Sequence, residues 1–381
     1  MLILPTPSGS LRNWRRRQLE MAANSDLLTA ALRDIAYTRA LEPAEWELLL
    51  RQARASDTLA RVAALIEEHG FTDEVAERPR QHLRAATIYA GAQRREVLRE
   101  VNYVRKALGR ADVRPILLKG AAYVVAGLPA AKGRVFSDLD VLVPKASLPA
   151  VESALMLHGW ATTHHNAYDQ RYYRKWMHEL PPFEHIRRDT ILDVHHNLLP
   201  ETARLKPKAE LLLAAAVPVA GEPGVQVLSP PDMVLHSMTH LIHNDELSHG
   251  LRDLSDMDVL LRHFGAAPHF WDQLPERAEQ LDLRRPLYYG LRYASRILAT
   301  PIPTRILERT AQWAPTLPVR SLMDWLWLRA LRPRHSSAAA SFTPAALFML
   351  YVRAHWLRMP PLLLFYHLAV KALRRRSKET E

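Results

Sequence analysis

Four consecutive residues, Ser137-Asp138-Leu139-Asp140, carry the densest chemistry in this 381-residue chain. In a β-strand, side chains alternate between faces, so Asp138 and Asp140 project to the same side. Two carboxylates on one face repel each other unless they share a cation. Pairs of divalent ions about 3.5–4 Å apart, held by such carboxylates, serve phosphoryl and nucleotidyl transfer. Magnesium, or manganese in its place, suits the set, because it takes carboxylate and phosphate oxygens together and completes its shell with water. A bare Asp-x-Asp is more often a solvated strand end, so the surroundings must decide.

Three neighbouring features favour the metal reading. Val135, Phe136, Leu139, Val141, Leu142 and Val143 flank the acids, which places them on a core strand. Lys119-Gly120 falls at a strand-to-helix junction upstream, where glycine lets the backbone approach a phosphate, the helix start offers free N–H groups and lysine adds charge. Asp193 lies on a later apolar strand and supplies a third carboxylate.

These residues need particular elements to hold them. VRPILL reads as a buried strand, KGAAYVVAG as a short helix ended by Gly127, and VFSDLDVLVP as a strand closed by Pro144. SLPAVESALMLHG reads as a helix capped by Ser147 and stopped by Gly159. WATTHH, YDQRYYRKWMH and PFEHI read as short strands. DTILDVHHNL reads as another, with Ile191, Asp193 and His195 on one face and Leu192, Val194 and His196 on the other. Apolar residues at three- and four-residue spacing make the chain before this unit helical. After about residue 205 the pattern is helical again and stays so. The expected fold class is α+β: a small mixed-sheet core at 109–204, flanked by an N-terminal helical region at 1–108 and a C-terminal helical domain at 205–381 that closes over the active-site cleft.

The combined pattern resembles the uncharacterised nucleotidyltransferase family of the polymerase-β superfamily. The resemblance rests on Ile116-Leu117-Leu118-Lys119-Gly120-Ala121-Ala122, on Arg134, on Ser137-Asp138-Leu139-Asp140-Val141-Leu142-Val143 and on Asp193-Val194-His195-His196. His236, His240, Arg252, Asp253, Asp256 and Asp258 look similar to the family's helical tail, so that the likeness covers roughly 110–265. It implies that Asp138 and Asp140 hold Mg²⁺ or Mn²⁺ bridging the phosphates of ATP or another nucleoside triphosphate. Asp193 would bind the catalytic metal and help deprotonate the acceptor hydroxyl. Lys119 and Gly120 would contact the triphosphate, Arg134 would neutralise the leaving pyrophosphate, and Ser137 would hydrogen-bond a phosphate oxygen. The acceptor (a natural-product peptide, sugar, metabolite or protein) and the base are left open, with nucleic acid a less favoured acceptor.

Two other classes compete. His236, His240 and His243 fall at i, i+4 and i+7 on one helix stripe, with Asp253, Asp256 and Asp258 on the next helix. Such a set could hold zinc, iron or manganese in a helical phosphohydrolase, although Leu235, Met238 and Leu241 interleave the stripe as in ordinary packing. The other rival is a non-catalytic module that binds nucleotide or nucleic acid. A thiol nucleophile, a disulfide framework and a Cys-ligated zinc are excluded, because the chain has no cysteine. A net charge of +11 favours polyanionic partners. The apolar stretch at 359–370 is too short to span a bilayer, and the basic run at 15–17 follows the apolar start instead of preceding it. The expectation is a cytoplasmic protein without a secretory signal or a transmembrane segment. The C-terminal apolar and basic stretch reads as a terminal helix with a solvated end, an acidic membrane surface being the alternative.

Overall fold

A computed structural model describes residues 26–163 and 167–366. The basic run at 15–17 and the last part of the C-terminal apolar and basic stretch lie outside the described residues.

The first helices form for the reasons their sequence gives. Helix α1 (Leu27–Arg33) starts on Asp26, whose carboxylate accepts the Thr29 amide. Helix α2 (Pro43–Ala55) opens on a capping box between Glu42 and Glu45. Helix α3 (Leu59–Glu68) and the 33-residue α4 (Glu77–Gly109) follow. One stripe of α4, including Leu83, Val97, Val101, Val104 and Leu108, is buried together with Glu100, while its other glutamates and most of its arginines face outward.

The sheet begins with β1 (Ile116–Leu117), followed by α5 (Lys119–Val125) and β2 (Leu139–Leu142). Next come α6 (Leu148–Leu157), β3 (Trp160–Thr162), α7 (Ala167–Trp176), β4 (Phe183–His185) and β5 (Ile191–His195). Helix α8 (Ala209–Ala215) leads to the hairpin of β6 (Val217–Pro218) and β7 (Gln226–Val227). The seven strands stand in the order β3-β4-β5-β2-β1-β7-β6. β2 and β5 run parallel at the centre, in a register that sets Asp140 opposite Asp193. β1 pairs antiparallel with β2, and the mixed sheet is completed by the antiparallel β3–β4–β5 meander on one side and by β7 and β6 on the other. All four residues of β2 are buried, as befits a central strand.

The chain then runs through α9 (Pro230–His243), α10 (Gly250–Phe264), α11 (Phe270–Gln280), α12 (Arg284–Leu298), α13 (Thr304–Ala311), α14 (Leu317–Ala330) and α15 (Thr343–Arg358). Their apolar faces join the sheet and the first helices in one continuous core. The fold is α+β, a mixed sheet with helices on both sides in sequence. No described helix is long and apolar enough to cross a membrane.

Three local expectations need correction. YDQRYYRKW is helical, not a strand: Tyr168, Tyr172 and Trp176 recur every four residues, and both tyrosine rings meet Trp176 edge-on at 6.1 and 6.2 Å between centroids. The strand expected from Val135 starts only at Leu139, so Asp138 precedes it, outside the strand. The stretch after residue 205 is not helical throughout, because β6 and β7 extend the sheet there. Ser147 precedes α6 as expected, without a capping hydrogen bond from its side chain.

Candidate active site

The three acids converge. A carboxylate oxygen from each of Asp138, Asp140 and Asp193 lies within 4.8 Å of the others. Asp140 and Asp193 achieve this as register partners on adjacent parallel strands, where side chains at matched positions share a face. Asp138 reaches the same point from the irregular segment before β2, and it is the exposed member of the set.

Lys119 closes the cluster. The Leu118 amide donates to the Asp140 carbonyl, extending the β1–β2 ladder to the edge of the turn. The next residue, Lys119, has φ +45°, a left-handed conformation that costs a non-glycine residue about 1 kcal/mol or more. The turn brings its ammonium 2.8 Å from Asp140 Oδ1. Burial opposes that positive charge, yet Asp140 and then Asp138 hold the ammonium above its ordinary pKa.

The electrostatics leave one acid incompletely compensated. Burial alone would raise Asp140, but Lys119 and His195 keep it well below the usual carboxylate range. Asp193 has weaker support, since His195 only partly offsets the rise. Burial, followed by the charge of Asp140, pushes its pKa up to about 7. Its Oδ1 is buried and finds no hydrogen-bond partner among the described residues. A buried, unpartnered carboxylate oxygen beside two further carboxylates is where a divalent cation relieves both desolvation and repulsion. The donor set is all oxygen on the cleft side, as magnesium requires.

Arg134 approaches from a neighbouring loop. Its Nε donates to Asp256 Oδ2 at 2.6 Å, while Arg61 Nη2 donates to Asp256 Oδ1 at 2.5 Å. The guanidinium also lies over the Phe136 ring, 5.2 Å from its centroid. Gly120 makes this position available: a Cβ on it would stand 2.1 Å from Arg134 Nη1 and 2.7 Å from the Phe136 ring. Ser137 Oγ donates to Asp138 Oδ1 at 2.9 Å. Lys119, Arg134, Ser137 and Asp138 therefore line one cleft, and its opposite wall is helical.

That wall includes His240, Arg252, Asp253 and Asp256. The histidine stripe thus divides. Burial and Lys119 hold His240 well below its ordinary pKa, and they lower His236 to about 3. His243 turns away from the cleft, and its Nδ1 lies 3.2 Å from the Thr239 carbonyl within its own helix. The acids of α10 are already engaged. Asp253 pairs with Arg252, Asp256 with Arg61 and Arg134, and Asp258 with Arg262 and the Thr300 hydroxyl. Among the described residues, groups able to hold a metal form at Asp138/Asp140/Asp193 and at His178/Glu179/His195, and neither includes a residue of this stripe.

The model of a family described as uncharacterised nucleotidyltransferase matches residues 42–299. The chain belongs to that family. No curated protein and no solved structure matches it. Membership in the nucleotidyltransferase family supports nucleotidyl transfer as the general activity. The matched region starts at the cap of α2 and ends after α12, so it takes in Arg61 as well as the sheet and the helical wall.

Several residues of the site escape a sequence reading. Arg61 left one signal, a lone charge on the buried face of α3 among Ala60, Val62, Ala63 and Ile66. Tyr123, Asn244 and His249 line the cleft without any pattern that marks them in advance. Glu179 and His178 gain their meaning only from the chain fold that lays them against β5.

Proposed function

We propose that this protein is a Mg²⁺- or Mn²⁺-dependent nucleotidyltransferase that moves a nucleoside monophosphate from a nucleoside triphosphate to an acceptor hydroxyl or phosphate. The observation that carries this reading is the meeting of Asp138, Asp140 and Asp193 beside Lys119. The three carboxylates would hold the divalent ions. When bound, such ions offset the negative charge that develops on the departing pyrophosphate.

The chain's own residues perform the remaining work. Lys119 and the Gly120 backbone bind the triphosphate, and Arg134 sits beside them as a buried cation for the leaving group. Ser137 orients Asp138 through its hydrogen bond. Asp193 accepts the proton of an acceptor hydroxyl, as a carboxylate beside the reacting atoms can. The acceptor oxygen bonds to the α-phosphorus, the bond from that phosphorus to the bridging oxygen breaks, and pyrophosphate leaves. No covalent enzyme intermediate is required. Acceptors in keeping with this chemistry are a peptide, sugar, small metabolite or protein.

The test is pyrophosphate release from each nucleoside triphosphate with candidate acceptors, followed by mass spectrometry of the acceptor. Release should require Mg²⁺ or Mn²⁺ and fall about 10³-fold in Asp138→Asn and Asp140→Asn. Turnover that survives both substitutions would overturn the assignment. Nucleotide binding without turnover in any metal would mark a binding module instead.

A further inference from the structure

A second group of metal-ligating side chains stands behind the carboxylates. The segment after α7 is laid onto β5 by its backbone: Glu179 bridges His195, the Leu180 amide donates to the Val194 carbonyl at 2.9 Å, and the His196 amide donates to the His178 carbonyl at 2.8 Å. These bonds fix His178 and Glu179 against the strand that carries His195. One ligand atom from each of the three lies within 4.8 Å of the other two.

Two close carboxylates constrain the ring of His195. Its Nε2 lies 2.9 Å from Asp140 Oδ1, and its Nδ1 lies 3.2 Å from Glu179 Oε2. If Nε2–H donates to Asp140, Nδ1 presents a lone pair toward a carboxylate oxygen. Two lone pairs at 3.2 Å repel each other, but that spacing matches one edge of a tetrahedral ligand shell, about 3.3 Å for bonds near 2.0 Å. The neighbouring His178 ring lies 5.3 Å from that of His195, and its buried Nδ1 has no partner among the described residues. A ligating histidine whose other ring nitrogen donates to a carboxylate is the usual arrangement in protein metal sites.

We propose that His178, Glu179 and His195 form a second metal site, selective for a borderline transition metal such as Zn²⁺ over Mg²⁺. Two imidazoles and one carboxylate suit zinc, cobalt or manganese, whereas magnesium prefers oxygen alone. The site is separate from the all-carboxylate set and is linked to it through the bond from His195 to Asp140. Its role is to fix the orientation of the Asp140 carboxylate.

Co²⁺ is the probe, because a tetrahedral site containing nitrogen ligands gives it visible d–d absorption. The full chain, stripped with EDTA, is titrated with Co²⁺ in excess Mg²⁺. The titration is repeated in an Asp138→Asn/Asp193→Asn background, which silences the carboxylate set. The expected result is about one Co²⁺ per chain in both backgrounds, displaced by Zn²⁺, with the absorption lost in His178→Ala and in Glu179→Gln. His178→Gln, which is nearly isosteric, must lose the absorption while keeping the far-UV circular dichroism of the parent. Elemental analysis after Zn²⁺ loading and dialysis should show the same dependence. Absence of the absorption in the silenced background, or a metal content that His178→Gln leaves unchanged, would overturn the proposal and leave His195 as an imidazolium between two carboxylates. Because the readout is metal content and not turnover, this outcome is independent of whether nucleotidyl transfer is found.

Discussion

Arg134 and Asp256 meet at 2.6 Å across the seam between the sheet's connecting loop and helix α10, and Arg61 from α3 binds the other oxygen of the same carboxylate. Side chains from three separate parts of the chain thus share one ion cluster with almost no solvent contact. Asp256 balances two guanidiniums that would otherwise face each other. Removing one partner of a buried pair costs about 3–5 kcal/mol, since it strands the remaining charge. Asp256→Ala should therefore lower the stability of the folded chain by about that amount, as measured by urea denaturation. Arg305→Ala, which removes an exposed and solvent-screened pair with Asp272, should leave the stability almost unchanged. Equal losses in the two variants would mean that the Asp256 cluster does not hold the seam.

Gly120 tests how closely the turn must approach Arg134. A methyl group there would meet Arg134 Nη1 at 2.1 Å and the Phe136 ring at 2.7 Å. The guanidinium would have to move, and overpacking of this kind costs about 1–3 kcal/mol. Gly120→Ala should raise KM for the nucleoside triphosphate more than it lowers kcat, with a total loss in kcat/KM of about 10-fold or more. Gly221→Ala is the control for chain flexibility, because nothing lies within 4 Å of the added atom, although its φ of +81° carries a backbone penalty of its own. Initial-rate kinetics and thermal melts on both variants separate the two effects.

The core of the site could be read from the sequence because it depends on strand geometry. Alternation predicts Asp138 and Asp140 on one side, although Asp138 reaches the cluster from just before β2, and an apolar setting with a matching acid implies a neighbouring strand for Asp193. What could not be read is register: a shift of one residue between β2 and β5 would have turned Asp193 to the other face. The structure sets Asp140 opposite Asp193. Helix α7 was misread because Tyr and Trp favour strands in general, whereas their four-residue spacing here makes one aromatic helix face. The β6–β7 hairpin escaped for the opposite reason. Its strands are two residues each, one containing Pro218, and so are too short to show a period. The histidine stripe illustrates a third limit: periodicity shows which residues share a helix face, but not that His240 faces the cleft while His243 does not.

His243 sets an acid limit on stability. Burial, followed by the charge of Arg353, lowers its pKa to about 3; Arg358 adds to this, and only the Thr239 carbonyl opposes it. In the unfolded chain its pKa returns to about 6.5. Between these values the unfolded state binds the proton and the folded state does not, so stability falls with pH across that window. Above pH 6.5 the full stability is present; it is lost progressively as pH falls toward 3. The contribution is on the order of a few kcal/mol, and lowered His236 adds to it in the same direction. His243→Gln should flatten this acid limb, as measured by denaturant midpoints between pH 7 and pH 4. An unchanged slope would show that His243 does not govern it.

Lys119 allows the sharpest test, because its two proposed roles predict effects of opposite sign. Its ammonium bonds Asp140 at 2.8 Å and so competes with a cation for that carboxylate. It is also the charge proposed to receive the triphosphate. Lys119→Met removes both while keeping most of the side-chain volume. The carboxylate set becomes more negative by one unit, and at an effective dielectric constant near 20 such a change is worth about 1–4 kcal/mol. Mn²⁺ binding without nucleotide, followed by electron paramagnetic resonance, should therefore tighten by about 10-fold. KM for the nucleoside triphosphate should rise by a similar factor, since a bound phosphate loses its counter-charge. If both constants weaken together, Lys119 is holding the turn in shape and not serving the phosphates. If neither changes, the ammonium is irrelevant to the site, and the left-handed backbone at Lys119 needs another explanation.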